Sequence, residues 1–238
     1  MNTTRAARPI PLALTMLVAF FSALAALAVS NGHNALAHGN QPNEATSPIT
    51  LTHTPLVETR KAVALRTDMR KLWEDHITWT RLAIISLTTD SPDTSATVGR
   101  LLKNQTDIGN AVKPFYGNAA GDAVTSQLRQ HILIAADLVA AARAGDQAKL
   151  ADAQARWQQN ADDIAGVLNS VNARRWPLGK LKRELSLHLT LTTVEAVARL
   201  QGDWDADVAA YDKIHAHALH FSDLLSDGIV KQFPKRFR

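Results

Sequence analysis

The chain contains no cysteine. Disulfides, zinc–thiolate centres and thiol nucleophiles are therefore excluded. Aromatic residues are scarce, at 5% of 238 positions, while 46% of the positions are hydrophobic. Alanine and leucine supply much of that apolar content, which favours helices over sheets. Charge of one sign is also in short supply. The 26 Lys and Arg residues face 22 Asp and Glu residues, for a formal charge of +4. No run of like charges is long enough for a nucleic-acid arm, so no nucleic-acid partner is expected. The sequence has no G-x-S-x-G elbow, phosphate loop or dinucleotide fingerprint, so no known catalytic motif points to an enzyme.

One long hydrophobic run is present. Arg5 and Arg8 precede "IPLALTMLVAFFSALAALAV" at residues 10–29. A basic start followed by an apolar stretch is the export pattern. Cleavage is expected at Ala26-Leu27-Ala28 or at Ala35-Leu36-Ala37. The run is also long enough to span a bilayer, so an uncleaved chain would associate with the membrane through residues 10–29. Residues 1–37 thus read as a signal peptide or an N-terminal anchor. Their removal deletes two arginines and no acids, which lowers the charge from +4 to +2. Residues 38–54 are polar, with two prolines, and read as a flexible linker. An exported or cell-surface protein with an envelope partner is expected.

Residues 55–238 read as a single all-helical domain. Breakers divide it into six segments, at about 55–89, 92–115, 119–144, 147–170, 179–201 and 204–232. Pro92 suits a first helical position. Gly145 with Asp146, and Gly202 with Asp203, each supply a helix stop followed by a cap. "NARRWPLG", residues 172–179, is the longest break. Short connections predict three tandem antiparallel hairpins packed as a bundle.

The helices place polar residues where a core should lie. The third segment's apolar stripe runs Val124, Leu128, His131, Ala135, Leu138, with the histidine at its centre. His76 sits in the first segment's stripe between Leu72 and Trp79, and His188 in the fifth's between Leu185 and Leu191. The second arms carry Asn104, Asn160 and His217 on their inward faces. The intervals are 28 from His76 to Asn104, 29 from His131 to Asn160 and 29 from His188 to His217. The first-arm histidines are 55 and 57 residues apart, which describes an internal repeat of about 56 residues. Locally, Arg100-x3-Asn104-x2-Asp107 parallels Arg156-x3-Asn160-x2-Asp163, and Lys213-x3-His217-x2-His220 keeps the layout. Each polar pair should meet across its hairpin.

Two readings follow. A neutral imidazole and a carboxamide satisfy each other, so the layer can be buried hydrogen bonds that fix register. Alternatively, His76, His131, His188, His217 and His220 converge on a metal ion or small ligand, with Asn104, Asp107, Asn160, Asp163 and Glu195 in support. Inward side chains at i and i+3 build bundle metal sites in this way. Imidazole and carboxylate donors would suit a divalent zinc, iron, copper or manganese ion. Ligand binding is the leading expectation, a structural or interaction module the second, an enzyme the third. In "LWEDHITWTR", Trp79 is expected inside and the charged residues on the rim, with Arg81 and Glu195 a potential polar mouth. The cluster Arg174, Arg175, Lys180, Lys182, Arg183, Lys231, Lys235, Arg236 and Arg238 reads as a solvated face, or as a contact for anionic envelope polymers.

The stretches "LWEDHITWTR", "NADDIAGVL", "EAVARLQGDWDADVAAYDKIHAHAL" and "DGIVKQFP" resemble a family of small all-helical bacterial proteins common in Bacillus-like and Clostridium-like organisms. The resemblance spans residues 65–234. It implies a bacterial source and a self-contained helical domain, and carries over no catalytic residue. Some members bear the names glycosyltransferase or acetylglutamate kinase. Such activities need an α/β pattern that this sequence lacks.

Overall fold

The computed structural model describes residues 59–238. The expected leader, the linker and positions 55–58 lie outside them. Among the described residues there are six α-helices and no strand. They are α1 (Arg60–Thr89), α2 (Thr94–Tyr116), α3 (Asn118–Ala144), α4 (Gln147–Asn172), α5 (Leu178–Gln201) and α6 (Trp204–Gln232), followed by a 3-10 turn at Pro234–Phe237.

The chain's own chemistry sets the helix ends. Thr59 is extended and its hydroxyl accepts the Ala62 N–H, so α1 starts at residue 60 rather than 55. Gly145 and Gly202 take left-handed backbone at φ 68° and 73° and close α3 and α5. Asp146 and Asp203 then cap α4 and α6 by accepting from Lys149 N and Ala206 N, as the sequence predicts. Pro92 lies in the turn before α2, not at its first helical position. Asp93 is the residue that precedes the helix, and it accepts the Ser86 hydroxyl at 2.9 Å.

Each helix packs antiparallel against the next, and α6 returns to pack on α1, so the three hairpins close into a ring. The first arms α1, α3 and α5 alternate with the second arms, and α1 also touches α3 and α5 across the ring. The main core runs through Met69, Trp73, Ile108, Leu128, Trp157 and Ile164. Trp73, not Trp79, is the inward indole of α1. Trp79 is half-buried, with the Arg100 guanidinium 5.0 Å from its ring centroid.

The repeat is visible at the end where the chain enters. Asn172 donates to the Tyr116 hydroxyl at 3.0 Å and to Gly228 O at 3.2 Å, and each partner lies 56 residues from it in sequence. Beside them the buried Trp176 presses its Nε1 edge against bare α6 backbone at Gly228. A Cβ added at Gly228 would sit 1.9 Å from Trp176 Nε1. The break between α4 and α5 is therefore anchored by an indole that only a glycine admits.

Candidate functional site

The alternating ring brings the three first-arm histidines together at mid-height. The His188 ring centroid is 5.8 Å from that of His76 and 5.8 Å from that of His131. His217, from α6, stands 6.2 Å from His188 on the other side. All four imidazoles are buried. They line a cavity of about 20 Å³, room for one water-sized guest, with Glu184 and the apolar side chains of Trp73, Leu128, Ile164, Leu185, Ala218 and Phe221 forming the rest of its wall. Trp73 meets His76 edge-on at 5.4 Å, and Trp157 lies 5.2 Å from His131, so aromatic faces hold the rings.

Two of the imidazoles have defined outer partners. His131 Nδ1 is 2.9 Å from Asn160 Oδ1. The Asn160 amide nitrogen donates to Gln127 O and Gln127 Oε1, which fixes its oxygen as an acceptor. His131 therefore carries its proton on Nδ1 and keeps a lone pair on Nε2. His76 Nδ1 is 3.2 Å from Gln105 Nε2, whose two hydrogens have closer acceptors in Leu101 O at 2.8 Å and Asn104 Oδ1 at 3.1 Å. His188 makes no hydrogen bond to a described side chain through either ring nitrogen, although it lies at the centre of the group.

Burial sets the charge of the layer. Desolvation, aided for His76 by the neighbouring His131, lowers both His76 and His131 to a pKa of about 4. His188 is depressed well below the usual imidazole range by burial and by the three rings around it. His217 is lowered by burial too, against the pull of Glu184. At neutral pH these rings are uncharged, with lone pairs available to a guest.

Several expected partners belong elsewhere. Gln105, not Asn104, faces His76. It lies 29 residues on, the interval of the other two pairs, whereas Asn104 lies at 28. One residue is 100° of helix, and Asn104 is turned to donate to Leu72 O at 3.0 Å. His220 has a largely exposed side chain and stands outside the layer, 3.8 Å from the outer edge of Glu184. Asp107 pairs with Lys103 on the surface at 3.0 Å, and Asp163 accepts from Gln159 at 2.9 Å, so neither reaches the cavity. The carboxylate that does is Glu184, 3.8 Å from His217 Nδ1. Its position four residues before His188 on α5 is the signal that could have found it. Among the described residues, no group of three or more His, Asp or Glu side chains is placed to hold a metal ion.

Glu195 forms a second buried cluster, seven residues and about 10 Å along α5 from His188. It accepts from Arg81 at 2.8 Å, and Arg81 reaches Asp207 through both terminal nitrogens at 2.9 and 3.0 Å. Arg199 adds a bond to Asp207 at 3.2 Å. Tyr211 and Trp204 cover the two guanidiniums. The expected pair of Arg81 and Glu195 thus exists, with the carboxylates buried beneath partly exposed guanidiniums rather than open as a mouth. Asp207 was not anticipated. Burial holds Glu195 at about 7 despite Arg81. A separate apolar cavity of about 50 Å³ lies among α1, α2, α3, α4 and α5. The hydroxyls of Thr80 and Thr192 on its wall are spent on His76 O and His188 O. The convergent polar atoms are those of the histidine layer.

Fold and site together define a closed antiparallel six-helix bundle with a buried, uncharged imidazole layer. Comparison with protein-family models, with curated proteins and with solved structures gave no match.

Proposed function

We propose that the protein binds one divalent transition-metal ion in the histidine layer, with His76, His131 and His188 as ligands, one from each repeat, and Glu184 as the nearby balancing charge. The observation that carries this reading is His188: a buried imidazole without a hydrogen-bond partner, facing a cavity of about 20 Å³ between two others. Two rings bound to one ion at about 2.0–2.1 Å from each nitrogen have centroids roughly 5–6 Å apart, and His188 lies 5.8 Å from each of the other two. Rings that stay neutral down to about pH 4 do not surrender their lone pairs to protons. The Nδ1–H bond from His131 to Asn160 is the outer contact that orients a metal-binding imidazole.

Loading requires local change. The rings must turn toward one point, and His76 must present a lone pair to it. Glu184 and the exposed His220 mark the route from solvent.

A second reading keeps the layer purely structural, and the satisfied His131–Asn160–Gln127 chain favours it. Elemental analysis of the chain, purified without a histidine tag, separates the two. Metal binding predicts one equivalent of metal, lost in His188→Ala while the helical circular-dichroism signal persists. Metal-free protein whose melting temperature ignores added Zn²⁺, Cu²⁺, Mn²⁺ and Fe²⁺ leaves the structural reading. Export and an envelope location belong to the same proposal and rest on the leader-like residues 1–37, while a bacterial source rests on the family resemblance alone.

A further inference from the structure

The alternation of the helices sorts the charges of this chain to its two ends. The start of α1, the α2–α3 turn, the α4–α5 break and the end of α6 all lie at one end of the bundle. Residues 60–66, 110–124, 166–184 and 226–238 make up that end, within about two turns of each terminus. They contain thirteen Lys and Arg residues and three acids, a side-chain charge of +10. The other described residues contain eleven basic and seventeen acidic side chains, a charge of −6. The far end, residues 83–100, 138–153 and 195–210, holds eight acids and four bases. The near-neutral composition conceals a strong dipole along the bundle axis.

We propose that the basic end is a docking surface for an anionic lipid membrane. Four observations select this occupant. Arg174, Arg175, Lys180, Arg183, Lys235 and Arg238 are exposed, and no described carboxylate pairs with them. Arg174, Arg175, Lys231, Asn172 and Gln232 line a polar cleft of about 290 Å³, the size of a phosphate headgroup rather than of a folded partner. Leu178 and Val63 project from the same end at 40% and 45% exposure, where aliphatic side chains can enter the headgroup layer. Finally, α1 opens at this end, and the chain before it holds the apolar stretch 10–29. If that stretch inserts in a bilayer, the chain that tethers the domain to it joins at this end. Nucleic acid is the less favoured polyanion. Single strands bind through exposed aromatic platforms, and the exposed tryptophan of this domain, Trp204, stands at the acidic end.

Each basic side chain close to an anionic leaflet raises affinity about fivefold. The test is co-sedimentation of the full chain with phosphatidylcholine vesicles, with and without 30% phosphatidylglycerol. The stretch 10–29 contributes equally to both, so the ratio of the two affinities reports the basic end. The expected ratio is at least tenfold in low salt and collapses in high salt. In Arg174→Glu/Arg175→Glu/Lys235→Glu it should fall to near one, and in Lys180→Gln/Arg183→Gln by at least tenfold or to near one. Arg143→Gln/Lys149→Gln, at the acidic end, should retain it. A wild-type ratio near one overturns the proposal, as does a ratio that survives both basic-end variants. Competition by duplex oligonucleotide or polyphosphate at concentrations far below that of the lipid also overturns it, in favour of a soluble polyanion.

Discussion

Replacing His131 with leucine should give a stability change that reverses its trend with pH. The ring is fully buried, and its pKa falls from 6.5 in the unfolded chain to about 4 in the fold. A base with a depressed folded pKa contributes its full stability above the unfolded value. That contribution is lost as pH falls from about 6.5 to 4, because only the unfolded chain takes up the proton. At pH 7.5 both states are neutral. His131→Leu then costs about 1–3 kcal/mol, chiefly by leaving the buried Asn160 Oδ1 without its donor. At pH 4.5 the unfolded wild type is almost fully protonated and the folded ring mostly is not, which costs the wild type about 2–3 kcal/mol that the leucine variant does not incur. The penalty of the substitution should therefore shrink to near zero or change sign. Glu195 works in the opposite direction: its pKa is raised to about 7, so it contributes stability at low pH and loses it as pH rises through that value. It is present in both proteins and cancels in the difference. Urea unfolding followed by circular dichroism at pH 7.5 and 4.5 measures the effect. An unchanged penalty at the two pH values would refute a neutral, buried His131.

Gly228→Ala should lower the melting temperature by several degrees, since a methyl group 1.9 Å from Trp176 Nε1 forces the indole out of its seat at about 1–3 kcal/mol. Calorimetry that finds no change would show that Trp176 does not rest on that backbone. Arg81→Leu leaves Glu195 and Asp207 buried with only Arg199 nearby and should destabilise by about 3–5 kcal/mol at pH 7.5. Adding Glu195→Gln and Asp207→Asn should recover most of that loss in urea unfolding. A triple variant no more stable than Arg81→Leu alone would contradict the charge-pair account.

The architecture was legible because each of its determinants is local. Gly145-Asp146 and Gly202-Asp203 announce a helix end and a helix start on the page, and the histidines at 76, 131 and 188 announce the repeat. The sequence left the convergence of those three rings open, as one of two readings. It depends on α1 crossing the ring to touch α3 and α5, which no spacing within a helix encodes. The Asn104 assignment went astray by one residue because two carboxamides adjoin there, and only the 29-residue interval of the other repeats distinguishes them. Glu184 was missed because attention fell on the second arms, although it shares a face with His188. Asp107, Asp163 and His220 fit the i+3 spacing of a bundle site. That spacing reaches the edge of an inward face as readily as its centre, and all three lie at solvent.

X-ray absorption at the zinc edge, on protein loaded with one equivalent of Zn²⁺, tests the central claim most directly. A site in the layer predicts a first shell dominated by three imidazole nitrogens at about 2.0–2.1 Å, and its loss in His188→Ala but not in His220→Ala. A shell of oxygens alone, or one unchanged by removal of His188, would contradict metal binding in the layer and return the three imidazoles to the role of core hydrogen-bond partners.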